Sequence, residues 1–590
     1  MALLVQKFGG TSVGSIERIQ AIARRIAIKH KEGHSLVIVV SAMGDTTDEL
    51  MHMAHRISAT PPKREVDMLL ATGEQVAIAL LSIALNSIGI AAVSLTGFQV
   101  GILTECAHGR ARILKINTER IFKYLKAGQV IIVAGFQGTS SNDGTPEITT
   151  LGRGGSDTSA VALAAALGAD ACEIYTDVLG ILTTDPRKVK NAQLINKISC
   201  DEMLELASLG AAVLHPRAVE IARNYGVILS VRSSWSLLPG TLLIGGSSKP
   251  MSKEGLELAK AVDQAELIQD QALVIIARLP DIPGITATLF EELSKAKLNV
   301  DLIVQTSFKN GTQDISFTLK NKQLKRALKI CQKILRILDT TEVTIRTKAE
   351  MAKLSISGVG IMNRHGIAAL LFENLAKAGI NLRIIATSEV KISCLIHSKE
   401  GGKALNIALK TFGLNYSQYK SKPKNLNLPE VRGVVLDRNQ IQISVRNVPD
   451  YPEVPALICR ILADEVISID AISQLEHLKN YNSNCSRDIS FTLHRSDCSR
   501  AKDILNKLLI KWPEAKLDIG PAIARVSAVG AGMPNIPGIA ARMFRSLATA
   551  GIHIQMITTS EIRISCMVHE VDGVDALQSI HSCFGLGKIN

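Results

Sequence analysis

The sequence lacks the features that would place it in several large classes of proteins. Only 4% of its 590 residues are aromatic, and its ten cysteines show no paired short spacing. The lack of such spacing argues against a zinc site or a disulfide framework, and it predicts reduced thiols in a cytoplasmic protein. No uninterrupted apolar run reaches about 18 residues, and the first residues show no signal-peptide pattern, so we expect no membrane segment.

Three common nucleotide-binding motifs are also missing. The sequence has no Gly-x-x-x-x-Gly-Lys-Ser/Thr stretch, no His-Arg-Asp catalytic loop, and no Gly-x-Gly-x-x-Gly turn after its first strand. These absences exclude P-loop enzymes, protein-kinase-like enzymes and Rossmann dehydrogenases. The formal net charge is +13, but the basic residues are spread along the chain without interleaved aromatic residues. We therefore expect a solvated surface and no nucleic-acid partner.

The length of the chain and the pattern of its first 245 residues predict the fold class. A chain of 590 residues is too long for one hydrophobic core, so several domains are expected. Apolar strand candidates alternate with helical patterns over 1–245. This alternation predicts an α/β domain with a mostly parallel sheet and helices on both faces. In such sheets the ligand lies beyond the carboxyl ends of the strands.

A lysine, two glycines and two hydroxyl residues follow the first predicted strand. The stretch Lys7-Phe8-Gly9-Gly10-Thr11-Ser12 stands between that strand and a helical pattern that starts near Ile16. Glycines let the backbone approach a bulky anion, and the amides that open a helix point toward it. Lys7 adds a charge suited to a transferring phosphoryl group. A tight turn alone would explain the glycines, but the combination predicts phosphate binding.

A second glycine-rich turn precedes the helix predicted over 160–167. It reads Gly152-Arg153-Gly154-Gly155-Ser156-Asp157. Arg153 can bind a carboxylate through two parallel hydrogen bonds. Asp157 can orient Lys7 or the magnesium ion of a nucleotide. The alternative is an ordinary helix start with Ser156 as its cap, which leaves Arg153 unexplained.

A third polar stretch follows the strand predicted over 172–176. It begins with Thr176-Asp177 and returns in a hairpin-like manner to Asp185-Pro186-Arg187. Asp177 could reach the sugar or base of a nucleotide, and Arg187 its phosphates. Asp-Pro turns are common, so this pattern gains its meaning only from the two glycine-rich turns.

Together with Ser41-Ala42-Met43-Gly44 and Thr72-Gly73-Glu74, these motifs resemble those of aspartate kinase, in the amino acid kinase superfamily, across the whole first domain. The resemblance implies a three-layer α/β/α sandwich and ATP-dependent phosphorylation of the side-chain carboxylate of L-aspartate. It also implies ATP with Mg²⁺ held mainly by the nucleotide phosphates, without a metal site of the protein's own. The implied site residues are Lys7 and Asp157 for catalysis; Lys7, Gly9, Gly10, Ser156, Thr176, Asp177, Asp185 and Arg187 for ATP; and Ser41, Thr47, Glu74 and Arg153 for aspartate.

The sequence departs from the family at one position. Many members have a lysine where this chain has Ala212, in the run from Gly210 to Pro216. A second phosphate-facing cation is therefore in doubt, and Arg187 and Arg217 are the candidates to replace it. We expect His215, which precedes a proline, to be structural and not a catalytic base.

The second half of the chain is a duplication. The octapeptide Thr387–Cys394 recurs as Thr559–Cys566, an offset of 172 positions from Ser388 to Ser560. Each repeat contains two modules made of two strand-helix-strand halves, a ferredoxin-like arrangement. These modules resemble ACT domains, the amino-acid-sensing modules of aspartate kinases. We place them near 272–345, 353–415, 441–512 and 523–590, with linkers at 246–271 and 421–439.

The resemblance to ACT domains implies effector sites. In each module the turn before the first helix can offer backbone amides to a carboxylate, and the next strand can offer an Asn or Gln. The expected residues are Asp281, Gly284 and Gln305 in module one, and Asn381, Ser388 and Glu389 in module two. Module three lacks the glycine, and module four has His553 in place of Asn381. By resemblance the effectors are lysine, threonine or both, and edge strands of the modules predict a homodimer.

Two other functions remain open at this stage. The chain could phosphorylate glutamate or acetylglutamate, although Thr47 and Glu74 beside Arg153 favour a free α-amino acid. It could also be a non-catalytic amino-acid sensor that keeps the kinase fold. Lys7 argues against a sensor, whereas Ala212 leaves that alternative open.

Overall fold

The structure is a computed structural model that describes residues 2–142, 144–210, 213–245, 255–257, 260–307, 311–338, 342–358, 360–414, 429–477 and 486–587. The chain forms two compact units. The first comprises Met1–Leu182, Leu194–Ala207 and Ala211–Ala259, and the second comprises Thr183–Gln193, Ser208–Gly210 and Lys260–Asn590.

The elements up to residue 245 alternate between strands and helices, as the sequence predicts. The strands are β1 (Leu3–Phe8), β2 (Ser35–Val40), β3 (Ala92–Leu95), β4 (Ile102–Thr104), β5 (Ile113–Ile116), β6 (Val130–Ala134), β7 (Gln137–Asn142), β8 (Thr145–Thr150), β9 (Ala171–Thr176), β10 (Lys197–Ser199), β11 (Leu229–Ser233) and β12 (Thr241–Ile244). The helices are α1 (Ile16–Lys31), α2 (Thr46–Ile57), α3 (Lys63–Ser87), α4 (Gly97–Val100), α5 (Glu119–Lys126), α6 (Gly155–Leu167), α7 (Cys200–Ser208) and α8 (Pro216–Tyr225).

The first unit is a three-layer α/β sandwich. Its main sheet has the order β10-β12-β11-β9-β1-β2-β6-β3 and is parallel except where β11 meets β12. Alternate residues of β2 point to opposite faces. Ile38 packs with α1 and α3, whereas Val39 lies on the face covered by α6. The central strand β1 lies between β2 and β9, so the chain connections leave β1 toward both sides of the sheet. Open α/β sheets bind ligands at such a point, beyond the carboxyl ends of the strands.

Helix α3 is the longest helix in the described part of the chain, at 25 residues. By length and hydropathy alone it would suit a membrane span, and half of its most apolar window is buried inside the protein. Its buried face packs against α1 and the sheet through residues such as Leu81 and Leu85. The core of the first unit is built on this face.

The second unit contains the duplicated half. Its strands are β13 (Gln264–Pro280), β14 (Ile303–Ser307), β15 (Thr312–Lys320), β16 (Thr344–Ser357), β17 (Ile384–Thr387), β18 (Lys391–His397), β19 (Gly433–Pro449), β20 (Ala471–His477), β21 (Ser486–His494), β22 (Lys516–Val529), β23 (Met556–Thr559) and β24 (Arg563–His569). Its helices are α9 (Ile285–Lys295), α10 (Leu324–Leu338), α11 (Gly360–Asn363), α12 (Ile367–Lys377), α13 (Gly401–Thr411), α14 (Glu453–Asp464), α15 (Cys498–Leu509), α16 (Ile539–Thr549) and α17 (Gly573–Cys583).

The four predicted modules are present, but they are not simply consecutive. Strand β13 is long: its second part opens module one, while Gln264–Ile268 pair with Lys353–Ser357 of β16 and complete module two. Likewise Gly433–Asp437 of β19 pair with β22 and complete module four. Module one is therefore inserted within module two, and module three within module four.

This arrangement changes the predicted linkers. The segments 246–271 and 421–439 are shorter as linkers than expected, because each ends in strand residues that belong to the following sheet. Both segments also include residues outside those that the structure describes. The strand that completes module two precedes module one in the chain, and the strand that completes module four precedes module three. Such long-range pairing leaves no local signal in the sequence.

Modules pair within the chain. Strand β14 of module one pairs with β23 of module four, and α9 packs on α16. Strand β17 of module two lies against β20 of module three, and α12 packs on α14. These strand edges are therefore covered within one chain, and they do not need a second copy of the chain to cover them. The homodimer remains a prediction.

Candidate active site and effector pockets

The glycine pair after β1 lies among the loops at the carboxyl ends of three strands. The Gly9 amide donates to the Tyr175 carbonyl at 3.2 Å, and the Gly44 amide donates to the Gly10 carbonyl at 3.1 Å. A Cβ at Gly10 would lie 2.8 Å from the Ala42 carbonyl oxygen. Gly10 is therefore required for the close approach of the β1 and β2 loops, beyond any contact with an anion.

Lys7 and Asp157 form an ion pair at this end of the sheet. The Lys7 Nζ and Asp157 Oδ1 atoms are 2.6 Å apart, and the side chains are 12% and 11% exposed. Asp157 stands in the first turn of α6, and Gly154 takes the N-cap position with a left-handed φ of 72°. The prediction that Asp157 orients Lys7 agrees with this contact. The alternative with Ser156 as the helix cap is wrong, because Ser156 lies inside the helix.

Glu74 is a buried carboxylate beside the same loops. Its Oε1 atom accepts a hydrogen bond from the Ala42 amide at 3.1 Å, while Oε2 has no hydrogen-bond partner among the residues that the structure describes. The side chain is almost fully buried, and this burial raises the pKa of Glu74 to about 7. Gly73 permits the approach, since a Cβ there would lie 2.9 Å from the Ala42 Cβ. A buried carboxylate with an unpartnered oxygen is suited to receive a ligand's ammonium group.

The other residues predicted to bind aspartate lie on neighbouring segments. Ser41 directly follows β2, and its amide donates to the Phe8 carbonyl at 3.2 Å. Thr47 is half-buried in the first turn of α2. Arg153 is exposed just before α6 and has no ion-pair partner among the residues that the structure describes. An exposed guanidinium without a partner can bind a carboxylate from solution.

The residues predicted for the nucleotide fall into two groups. Thr176 ends β9, and its hydroxyl donates to Asp177 Oδ1 at 3.0 Å. Arg187 Nε donates to Asp185 Oδ1 at 3.0 Å, and this guanidinium lowers the pKa of Asp185. Asp185 and Arg187 belong to the segment Thr183–Gln193 of the second unit, unlike the rest of the predicted site.

Arg217 does not provide a second phosphate-facing cation. Its guanidinium makes two hydrogen bonds of 2.8 Å to Glu257 and also donates to the Leu151 and Ala111 carbonyls. The expectation for Arg217 is therefore wrong, because four of its five N–H donors serve the protein's own acceptors, including the Glu257 carboxylate that neutralises its charge. Ala212 lies outside the described residues.

His215 has the structural role that was expected. Its Nδ1 atom accepts from the Arg217 amide at 3.3 Å and caps α8. The ring packs so closely on Gly154 that a Cβ there would lie 2.3 Å from it. Burial lowers the pKa of His215. The ring thus fixes the turn that leads into α6.

The sequence interpretation missed the conformation of Phe136. This residue follows β6 and has a φ of 67°, which is unusual for a non-glycine residue. Its amide donates to the Ser159 hydroxyl, and its carbonyl accepts from the Leu151 amide at 2.8 Å. Strained backbone of this kind is typical of functional sites. Nothing in the local sequence predicts it.

In the second unit, the three residues predicted in module one come together. Asp281, Gly284 and Gln305 line a cavity of about 20 Å³ where module one meets module four. His553 of module four lies in the same cavity, with Nε2 2.8 Å from Asp281 Oδ1. This hydrogen bond raises the pKa of His553.

The three residues predicted in module two do not form one site. Asn381 Nδ2 donates to Asp450 Oδ1 of module three at 3.2 Å. Ser388 closes a tight turn through its amide, and Glu389 faces Arg563 of module four at 3.4 Å. Lys391 makes the reciprocal ion pair with Glu561. Glu389 therefore belongs to a contact between the two repeats.

A larger cavity lies elsewhere between modules one and four. It measures about 90 Å³, and its polar lining includes Asn299, Asp301, Ser560 and Glu561. Ser560 and Glu561 are the repeat counterparts of Ser388 and Glu389. The sequence interpretation used them only to define the repeat and did not assign them to an effector site, although the offset of 172 positions from Ser388 and Glu389 was the signal that could have done so.

Comparison with known proteins agrees with the fold of both units. The amino acid kinase family model matches residues 2–233, and the ACT domain model matches 274–335, 354–412 and 526–584. The ACT domain model does not match module three, which nevertheless has the same order of strands and helices.

Three individual relatives extend the similarity beyond these family models. The aspartokinase of Bacillus sp. (strain MGA3) is 47% identical over 72% of this chain and 100% of its own length, and that of Geobacillus stearothermophilus is 48% identical over 70% and 98%. The crystal structure of aspartate kinase from Synechocystis is 49% identical, covers 100% of both chains and superposes with a TM-score of 0.87. The chain therefore belongs to the aspartokinase family.

Proposed function

We propose that this chain transfers the γ-phosphoryl group of ATP to the side-chain carboxylate of L-aspartate. The observation that carries the proposal is Glu74, whose buried Oε2 has no partner among the described residues and whose Oε1 binds the Ala42 amide, next to the Gly10 loop that follows the strand of Lys7. An ammonium group at Glu74 and an α-carboxylate at Arg153 would hold an amino acid with its side chain free to react. The names of the bacterial relatives support this substrate.

The chemistry needs no general base. The attacking carboxylate is already ionised at neutral pH, so the main obstacle is the repulsion between two anions. Lys7, held by Asp157, supplies positive charge at the ends of β1 and α6. The first amides of α6 point in the same direction and add a partial positive charge. The site thus lowers the barrier by positioning and charge compensation.

Magnesium would be held mainly by the phosphates of ATP. Among the residues that the structure describes, no three His, Cys, Asp or Glu side chains cluster as a metal site. Asp157 is the carboxylate beside Lys7 that fits one oxygen contact to such an ion. Bound there, magnesium would neutralise phosphate charge.

Trapping of the acyl phosphate tests the proposal. The full chain is incubated with ATP, Mg²⁺ and hydroxylamine, and hydroxamate is measured with aspartate, glutamate and acetylglutamate in parallel. Hydroxamate with aspartate is the expected result. Hydroxamate only with glutamate or acetylglutamate would replace the substrate, and none with any of them would favour the sensor alternative.

We also propose that lysine, threonine or both regulate the enzyme by binding between paired modules. The support is the pairing of module one with module four, which places Asp281 and His553 on one cavity. Equilibrium binding of each amino acid to the full chain tests this role, and sedimentation of the purified chain measures whether it forms the predicted homodimer.

A further inference from the structure

The duplication creates two pockets that are equivalent by register. Pocket A, between modules one and four, consists of Asp281, Gln305, Gln313 and His553. Its counterpart, pocket B, lies between modules three and two. It consists of Asp450, Gln474, Arg487 and Asn381.

The equivalence is visible in the strand pairing. Gln313 is opposite Leu279 in the pairing of β13 with β15, and Arg487 is opposite Val448 in the pairing of β19 with β21. The two glutamines on the neighbouring strands also make matching contacts. Gln305 donates to the Ile554 carbonyl at 3.2 Å, and Gln474 donates to the Leu382 carbonyl at 2.8 Å.

The pockets differ in what faces the aspartate. In pocket B the guanidinium of Arg487 forms an ion pair with Asp450, donates to Asn381 Oδ1 at 2.9 Å and donates to the Leu382 carbonyl at 3.3 Å. The Arg487 side chain is completely buried. Burial lowers the pKa of Arg487 to about 10, so the group stays cationic at neutral pH. Arg383 adds a second positive charge 3.7 Å from Asp450.

In pocket A the position of Arg487 is taken by a neutral side chain. Gln313 donates to the Pro280 carbonyl at 3.1 Å, and its buried Oε1 has no hydrogen-bond partner in the described part of the chain. Within the described ranges the ion-pair partner of Asp281 is His553, whose side chain is 33% exposed. A cavity of about 20 Å³ remains beside these groups. Pocket A therefore keeps an anion and an acceptor that an entering ammonium group can use.

We propose that Arg487 permanently occupies pocket B, where its guanidinium takes the place of a ligand's ammonium group, so that of these two pockets only pocket A binds a free amino acid. The inference rests on the proposed regulation by amino acids. To admit a ligand, the buried guanidinium in pocket B would have to leave three acceptors, whereas the partly exposed imidazole in pocket A would leave one. The duplication has thus produced one receptive pocket and one that its own side chain closes.

Exchange of the two distinguishing residues tests the proposal. In the full chain, Arg487→Gln gives pocket B the residue of pocket A, and Gln313→Arg does the reverse. Arg495→Gln, an exposed arginine of the same module, is the matched control. The stoichiometry of L-threonine and of L-lysine is measured by equilibrium dialysis. The wild type and each variant are also crystallised with each amino acid. The wild-type crystal structure tests the proposal even if a variant does not fold.

The expected wild-type crystal shows ligand in pocket A and the Arg487 side chain in pocket B. Arg487→Gln should gain one further equivalent of the same amino acid, located in pocket B. Gln313→Arg should weaken binding at pocket A at least about tenfold, or roughly 1.4 kcal/mol, and Arg495→Gln should match the wild type. Ligand in both wild-type pockets would overturn the self-occupied pocket while leaving amino-acid regulation intact. Ligand in neither pocket, in the wild type and in Arg487→Gln, would overturn the inference and this site of regulation together.

Discussion

Replacement of Glu74 by Gln is the sharpest test of the proposed substrate site. Glu74 is buried with a pKa near 7, and one of its oxygens has no partner. Binding of an ammonium group requires the ionised carboxylate. In the wild type, kcat/KM for aspartate should therefore rise about tenfold from pH 6 to pH 8, since one protonation with this pKa controls it. The aspartate side chain is ionised throughout that range.

The variant removes the charge but keeps the shape. We expect Glu74→Gln to raise KM for aspartate at pH 8 by roughly 10- to 100-fold, because a hydrogen bond to a charged group contributes about 1.5–3 kcal/mol. Its kcat/KM should not change between pH 6 and pH 8. The KM for ATP should stay close to that of the wild type, because Glu74 acts on the amino acid only.

The same substitution should change stability in the opposite direction. The pKa of Glu74 is raised from 4.5 to about 7 in the folded protein, so folding favours the protonated form. The associated stability is fully present below pH 4.5 and is lost as pH rises toward 7. The loss of unfolding free energy amounts to roughly 3 kcal/mol at pH 7. Glu74→Gln should therefore be more stable than the wild type at pH 8, by up to this amount, in denaturant unfolding without substrate.

Glu65→Gln is the matched control, because it removes an exposed carboxylate from the same helix α3. It should leave both KM and the pH profile unchanged. A wild-type profile that is flat between pH 6 and pH 8, together with an unchanged KM in Glu74→Gln, would refute the assignment of this carboxylate to the substrate's ammonium group.

Three further predictions concern other parts of the chain. Lys7→Ala should lower kcat at least about 100-fold, as loss of one preorganised charge at a reacting centre does, while the binding of amino acids to the second unit persists. Gly10→Ala should destabilise the protein by about 1–3 kcal/mol in denaturant unfolding and lower kcat, because the new Cβ would meet the Ala42 carbonyl at 2.8 Å. Thr183→Val should cost about 1–3 kcal/mol of unfolding free energy, because the buried Thr183 hydroxyl lies 3.0 Å from His581 Nε2 and the ring would lose its partner.

Each of these has a control in the same chain. Lys29→Ala removes an exposed lysine of α1 and should retain full activity, so equal turnover in Lys7→Ala and Lys29→Ala would contradict the role of Lys7. Gly402→Ala adds a Cβ with no atom within 4 Å, and an equal effect in Gly10→Ala would contradict the steric argument. Thr344→Val changes an exposed strand residue, and it should leave the unfolding free energy within about 0.5 kcal/mol of the wild type. A Thr183→Val variant as stable as Thr344→Val would rule out a stabilising contact with His581.

Features of this protein that depend on neighbouring residues could be predicted from the sequence. The turn from Lys7 to Ser12, the glycine-rich turn before α6 and the repeat offset could all be read locally, although α6 begins at Gly155, five residues before its predicted start. Glycine, helix capping and strand alternation act over a few residues, so their patterns survive in any sequence that folds this way. The α/β class and the module type follow from the order of such elements.

The contacts between residues that are distant in the sequence are known only from the folded structure. The closing strand of module two comes from Gln264–Ile268, and Asp281 is paired with His553 across 272 positions. Arg217 could serve a phosphate or the protein, and only its contacts with Glu257 settle the choice. Equivalent positions of a repeat can become an open pocket or one filled by Arg487. The physical reason is that charge pairing and strand closure depend on separation in space, which spacing along the chain does not determine.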